Sequence, residues 1–142
     1  MARLLLVTSI FPPESGGPAT FISALAPALS QAGHQVRVFT LWERPPQARP
    51  AWLFGLRRFD PLALRLALIF LKLLVHIRWA EAVYINGLEL PAILACRLIV
   101  RPSILKIVGD YAWERARLKG ATGLDIGQFQ TAQLPVILAW QR

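Results

Sequence analysis

Cysteine is almost missing from this 142-residue chain. Cys96 stands alone, so no internal disulfide and no thiolate metal cluster can form. It falls in an apolar helical pattern and reads as a buried structural thiol. The two histidines, His34 and His76, stand apart from other potential ligands, and no metal site is expected. Acidic residues are scarce too: eight Asp and Glu face sixteen Lys and Arg, a formal net charge of +8. That excess favours an acidic partner such as a phosphorylated substrate or anionic lipid. The bases are dispersed through apolar segments and no recognition motif accompanies them, so nucleic acid is not an expected partner. A secretory leader is also absent from the expected pattern. The opening MARLLLVTSIF stops after about eight apolar residues and runs into PPESGG instead of a small-residue cleavage site. It reads as a first strand, and a cytoplasmic location follows.

What is present is a 55% hydrophobic, 17% charged composition that excludes disorder. The length suits one domain over residues 1–142. Leu4 to Ser9 predicts a buried parallel strand. Ile22, Leu25, Leu29 and Ala32 recur at helical spacing before Gly33, a natural helix stop. Pro27 lies inside that helix and is expected to remove one backbone bond and kink it. Val36, Val38 and Thr40 alternate with Arg37, Phe39 and Leu41 as a second strand. After the proline-broken ERPPQARP loop, Trp52 to Phe59 predicts a short third strand and Pro61 to Trp79 a helix. Ala82 to Asn86 predicts a strand, Pro91 to Ile99 a helix and Ile104 to Val108 a strand. Asp110 to Lys119 and Thr131 to Arg142 predict two further helices. The alternation gives an α/β fold, a doubly wound, mostly parallel, Rossmann-like sheet with helices on both faces.

In such sheets ligands bind at the carboxyl ends of the strands. The loops at Phe11 to Gly17, Asn86 to Glu89 and Gly109 to Glu114 should therefore gather on one edge. The first has the makings of an anion site: Gly16 and Gly17 let a phosphate or hydroxyl approach the main chain, where free N–H groups of the first helical turn point outward. Pro18 suits the first helical position, since it lacks an N–H that would go unpaired there. An unoccupied βα turn would look the same.

Arg58, Arg65 and Lys72 are spaced seven apart, with His76 four further on, a narrow cationic stripe if all lie on one helix. Sixteen residues from Leu62 to Ile77 would span about 24 Å, short of the roughly 30 Å hydrocarbon core. The helix either packs on the sheet with its stripe in water or lies on an anionic membrane, with Arg58, Arg65 and Lys72 as the contacts.

In ILKIVGDYAWERARLK, Asp110 stands at a strand's end and Glu114 one turn into the next helix, flanked by Tyr111 and Trp113. Carboxylates among aromatic rings suit a sugar, whose hydroxyls need acceptors and whose C–H faces pack on rings. The same residues also fit a helix cap at Asp110 and surface pairing of Glu114 with Arg115 or Arg117.

Three stretches, LLLVTSIFPPESGGPATFISALAPALSQAGHQVRVFT, AVYINGLELPAILACRLIVRPSILKIVGDYAWERA and LDIGQFQ, together resemble the N-terminal domain of bacterial retaining glycosyltransferases of family 4. The Pro-Pro and Gly-Gly loop followed by Gly33-His34-x-Val36 is common across that family, and KIVGDYAWE is narrower. The resemblance implies a GT-B architecture, two Rossmann-like domains in which the N-terminal one mainly holds the acceptor and the C-terminal one the nucleotide-sugar donor. It implies that Gly16 and Gly17 lie against the donor diphosphate or the acceptor, that Asn86, Gly87, Tyr111, Trp113 and Glu114 line the cleft, and that Asp110 accepts a hydrogen bond from a substrate hydroxyl. Catalysis in such enzymes needs no metal and no cofactor beyond the nucleotide sugar. Retention is generally attributed to front-face attack assisted by the leaving phosphate. Many members carry His-Asp where this chain has Gly109-Asp110, so that histidine's role does not carry over. The donor-binding part has no counterpart in this sequence, and the chain by itself is not expected to turn over.

Expected partners are a nucleotide sugar, a glycan or lipid-linked acceptor of cell-envelope or polysaccharide synthesis, and an anionic membrane surface on the inner face of the cell membrane. Two other readings stay open. A nicotinamide-binding Rossmann domain has a candidate ribose acid in Glu43, but SGGPAT is not G-x-G-x-x-G. A non-catalytic membrane-surface module would make the basic helix the whole function.

Overall fold

The computed structural model describes residues 1–43, 45, 49–59, 61–107, 116–118, 120, 123–125, 127 and 128. Two compact units divide the chain, Met1–Lys106 and Ile107–Arg142. The first runs β1 (Arg3–Thr8), α1 (Gly17–Gln31), β2 (Gln35–Trp42), β3 (Leu53–Arg57), α2 (Leu62–Trp79), β4 (Ala82–Asn86), α3 (Glu89–Ile99) and β5 (Ser103–Leu105). The five strands form one all-parallel sheet in the order β3-β2-β1-β4-β5. This is a Rossmann-like doubly wound α/β fold, and the strand order reverses between β1 and β4. In the second unit, residues 116–118 are helical. There the Gln128 N–H donates to Asp125 Oδ1 (2.8 Å), and the Asp125 N–H donates to Gln128 Oε1 (3.2 Å).

Side-chain alternation divides the core between the two faces of the sheet. On one face Leu5, Val7, Phe39, Leu41, Val83 and Ile85 pack against Ile69, Leu73 and Ile77 of α2 and Ala92, Ala95 and Cys96 of α3. On the other face Leu6, Val36, Val38 and Leu53 pack against Ile22 and Ala26 of α1. Strands buried on both sides explain why the Leu and Val runs of β1 carry no polar alternation. Burial pushes the Cys96 thiol up, with Ser103 pulling slightly the other way, as befits an inert structural cysteine.

Most of the expected elements are present, with differences that have physical causes. Gly16 is the N-cap of α1, so Pro18 takes the second helical position and not the first. The helix continues through Pro27, which is exposed and costs one backbone donor on the solvent side. Gly33 has φ of +86° after the Ala32 cap, the left-handed stop expected there. The short third strand is β3, and α2 starts and ends within a residue of the predicted span. α3 begins at Glu89, two residues earlier than predicted, because a tight turn at Gly87 and left-handed Leu88 feeds it directly from β4. β5 is confined to Ser103–Leu105. The predicted helices from Asp110 and from Thr131 lie largely or wholly outside the described residues.

Candidate functional site

The carboxyl ends of β1 and β4 meet at the point where strand order reverses, with Thr8 in register with Asn86. By alternation, both side chains point to the α1 side of the sheet, the face that carries Leu6 and Tyr84. Directly beyond them the tips of the two strands touch. A Cβ placed on Gly87 would lie 2.6 Å from the Ser9 nitrogen and 2.9 Å from its hydroxyl, and Gly87 has φ of +128°. No other residue fits there without moving the β1 tip.

From this tip the chain passes through the Pro/Gly loop into α1. The first helical bond runs from the Thr20 N–H to the Gly16 carbonyl (3.0 Å), and no side chain caps the helix. Pro18 has no N–H, so Gly17 and Ala19 carry the uncapped donors of the first turn. A Cβ on Gly17 would meet nothing within 4 Å, so the space beside that residue is open. Gly16, by contrast, has φ of +155° and abuts Ile10.

Asn86 is 2% exposed, and neither its Oδ1 nor its Nδ2 has a hydrogen-bond partner. A buried amide without partners costs about 1–3 kcal/mol. The amide carries one acceptor and two donors, all shielded from solvent at the carboxyl edge of the sheet.

Arg58 ties the neighbouring loops together. Its Nη2 donates to the Ser9 carbonyl (2.7 Å), and its Nη1 pairs with Glu14 at 2.8 Å and Glu43 at 3.5 Å. The Glu43 N–H also donates to Glu14 Oε1 (3.0 Å). One guanidinium thus joins the loops after β1, β2 and β3. On the α1 side, Lys106 at the end of β5 places its ammonium 3.7 Å from the Phe21 ring centroid, and Phe21 stacks near Tyr84. Burial pushes the Tyr84 phenol up, so it stays neutral.

Four of the predicted site residues, Gly16, Gly17, Asn86 and Gly87, therefore share the carboxyl edge of the sheet. Asp110, Tyr111, Trp113 and Glu114 lie outside the described residues. Of the expected cationic stripe, Arg65, Lys72 and His76 share one face of α2, and Arg58 lies outside the helix. Arg58 precedes α2 and is bound into the edge, because the chain is still completing β3 there: its N–H donates to the Trp42 carbonyl (2.8 Å). Arg65 is half-buried and donates to the Phe59 carbonyl (3.2 Å). His76 packs between Phe39 and Phe54. Only Lys72 of the set is exposed. Sequence reasoning missed the roles of Arg58 and Lys106; both follow a strand directly, and that position alone assigns them to the ligand-binding edge.

Among the described residues no group of three or more His, Cys, Asp or Glu side chains is arranged for a metal ion. The sequence matches no protein-family model and no curated protein.

Proposed function

We propose that this chain is the acceptor-side Rossmann-like domain of a nucleotide-sugar-dependent retaining glycosyltransferase of GT-B architecture, acting on a glycan or lipid-linked acceptor in envelope or polysaccharide synthesis. The observation that carries the reading is the uncapped start of α1 at Gly16–Gly17, on the same sheet edge as the buried, unpartnered amide of Asn86. Uncapped N–H groups at a helix start suit a diphosphate, and a fixed amide suits a hydroxyl. In the transfer step, the N–H groups of Gly17 and Ala19 would stabilise charge developing on the departing diphosphate, while Asn86 orients a substrate hydroxyl. Asp110 is assigned a hydroxyl-accepting role by the sequence resemblance alone.

The test is a calorimetric titration of the chain with UDP, UDP-glucose and GDP-mannose. Weak binding of at least one is expected, through the diphosphate alone, because the resemblance assigns most donor contacts to a second domain; Gly17→Val should lower that affinity tenfold or more while the thermal unfolding midpoint stays put, since its side chain enters open space. Unchanged affinity in that variant removes the helix start from the site. A second reading, nicotinamide binding, has one observation in its favour: Glu43 stands just past the end of β2, where dinucleotide folds hold the ribose. NADH in the same titration separates the two.

A further inference from the structure

The outer surface of the α2–α3 layer is apolar where a solvent-facing helix surface is normally polar. α2 buries Ile69, Leu73 and Ile77, and the row opposite them on a 3.6-residue repeat is Leu64, Leu71, Val75 and Arg78. α3 buries Pro91, Ala92, Ala95 and Cys96, and its opposite row is Leu90, Leu94 and Leu98 with Arg97 beside them. The six aliphatic side chains are between 50% and 66% exposed. The two helices pack side by side on one face of the sheet, so the rows share one surface. Isolated exposed leucines need no explanation, but six on adjacent helices do.

The charge on this surface narrows the choice of occupant. α2 contains no acidic residue, and Lys72, Arg78 and Arg97 are all exposed beside the apolar rows. Glu89, in the first turn of α3, is the only acid on either helix. A second copy related by a two-fold axis would set one acid-poor cationic face against another, whereas an anionic surface complements it. Among the described residues no helix is long and apolar enough to cross a membrane. Leucines flanked by Lys and Arg on a helix that cannot span are the pattern of a surface lying in the headgroup region.

We propose that the α2–α3 face seats the protein on an anionic lipid bilayer, with Leu71 and Leu94 entering the acyl boundary and Lys72, Arg78 and Arg97 meeting headgroup phosphates. The contact differs from the cationic stripe expected from the sequence: Arg58, bound into the sheet edge, takes no part, and α3 supplies half of it. It holds whatever the carboxyl edge of the sheet binds. Because α3 starts directly beyond Gly87, the membrane face borders that edge, which suits a lipid-linked ligand.

Vesicle flotation tests this. The chain is mixed with phosphatidylcholine vesicles or with vesicles in which part of the lipid is phosphatidylglycerol. The wild type is expected to float with the anionic vesicles and more weakly with the neutral ones. K72Q/R97Q should lose about fivefold in partitioning per charge on anionic vesicles and nothing on neutral ones. L71Q/L94Q should lose about tenfold or more on both. Far-UV circular dichroism and thermal unfolding check that these surface changes leave the fold intact. Failure of the wild type to float, or flotation of both variants at the wild-type level, overturns the proposal. So does a wild-type dimer in light scattering that L71Q/L94Q converts to monomer, since the face then takes a second copy. Nucleotide titration of the same preparations is expected to be unaffected, which separates this result from the fate of the transferase reading.

Discussion

Replacing Asn86 by leucine should make the protein more stable and less able to bind. Asn86 is 2% exposed with both amide atoms unpartnered, and it faces the α1 side of the sheet beside Thr8. Leaving such an amide unsatisfied costs about 1–3 kcal/mol. Leucine is similar in size and removes that penalty, while fitting its branched end against the neighbouring loops returns about 1 kcal/mol of strain. A net gain of up to about 2 kcal/mol is expected, read as a higher urea midpoint at unchanged slope and a raised thermal midpoint. Affinity for the nucleotide ligand identified by titration should fall at least tenfold, because the leucine offers no hydrogen bond where the amide offered two kinds. Asn86→Asp serves as the contrast: it keeps the shape, introduces a carboxylate that must ionise in a dry site, and should lower stability at neutral pH. If Asn86→Leu instead destabilises the protein by 2 kcal/mol or more, the amide is satisfied in the free protein and the argument from its burial fails.

Three further outcomes follow from the same edge and from the α2 side of the core. Gly87→Ala must adopt φ near +128° and meet Ser9 at 2.6 Å, so a loss of about 2–4 kcal/mol is expected in chemical denaturation; a loss below about 1 kcal/mol would mean that the β1 tip yields easily. Arg58 and Glu14 pair at 2.8 Å with side chains only 27% and 21% exposed, and a double-mutant cycle of Arg58→Met with Glu14→Gln should give a coupling of about 1–2 kcal/mol, against near zero for a solvated pair. His76 is held below its ordinary value of 6.5 by burial first and by Arg37 and Lys72 second, so the unfolded chain takes up a proton before the folded one does. Stability is then full above about pH 6.5 and declines as pH falls through that value until His76 itself protonates; His76→Gln should flatten that part of the urea-midpoint profile.

Where periodicity was strong, the fold was legible. The alternation of Val36, Val38 and Thr40 with Arg37, Phe39 and Leu41 gave β2, whose two sets pack on opposite faces, and Pro61 and Trp79 bracketed α2. The glycines of the first loop were legible because a Pro/Gly turn between strand and helix leaves few alternatives, whereas the close approach of Gly87 to Ser9 joins two strands and shows only in the fold. Spacing misled at Arg58. Its seven-residue offset from Arg65 mimics a helical stripe, yet β3 must end before α2 can start, and the intervening residues carry Arg58 to the sheet edge. The outer face of α3 was illegible for a different reason: ELPAILACRLI is apolar nearly all round, so the sequence cannot say which side meets the sheet. His76 shows the same limit, since its place between Phe39 and Phe54 depends on a contact across two elements.

The fully buried polar side chains gather near the carboxyl edge of the sheet, independently of any motif. Three polar residues among the described ones are fully buried: Thr8, Thr40 and Asn86, near the carboxyl ends of β1, β2 and β4. All three belong to the α1 side of the sheet by strand alternation. The two threonines bond locally, Thr8 Oγ1 to the Ile10 carbonyl (2.9 Å) and Thr40 Oγ1 to the Leu41 carbonyl (3.2 Å), as short hydroxyls readily do. Asn86 has no such outlet, because the turn at Gly87 and Leu88 carries the following backbone away into α3. A core selected for stability alone would place an aliphatic residue there, as it does at Ile85 one position earlier on the opposite face. If, as proposed, one ligand satisfies both this amide and the uncapped helix start on the same sheet edge, stability and binding should respond to Asn86→Leu in opposite directions.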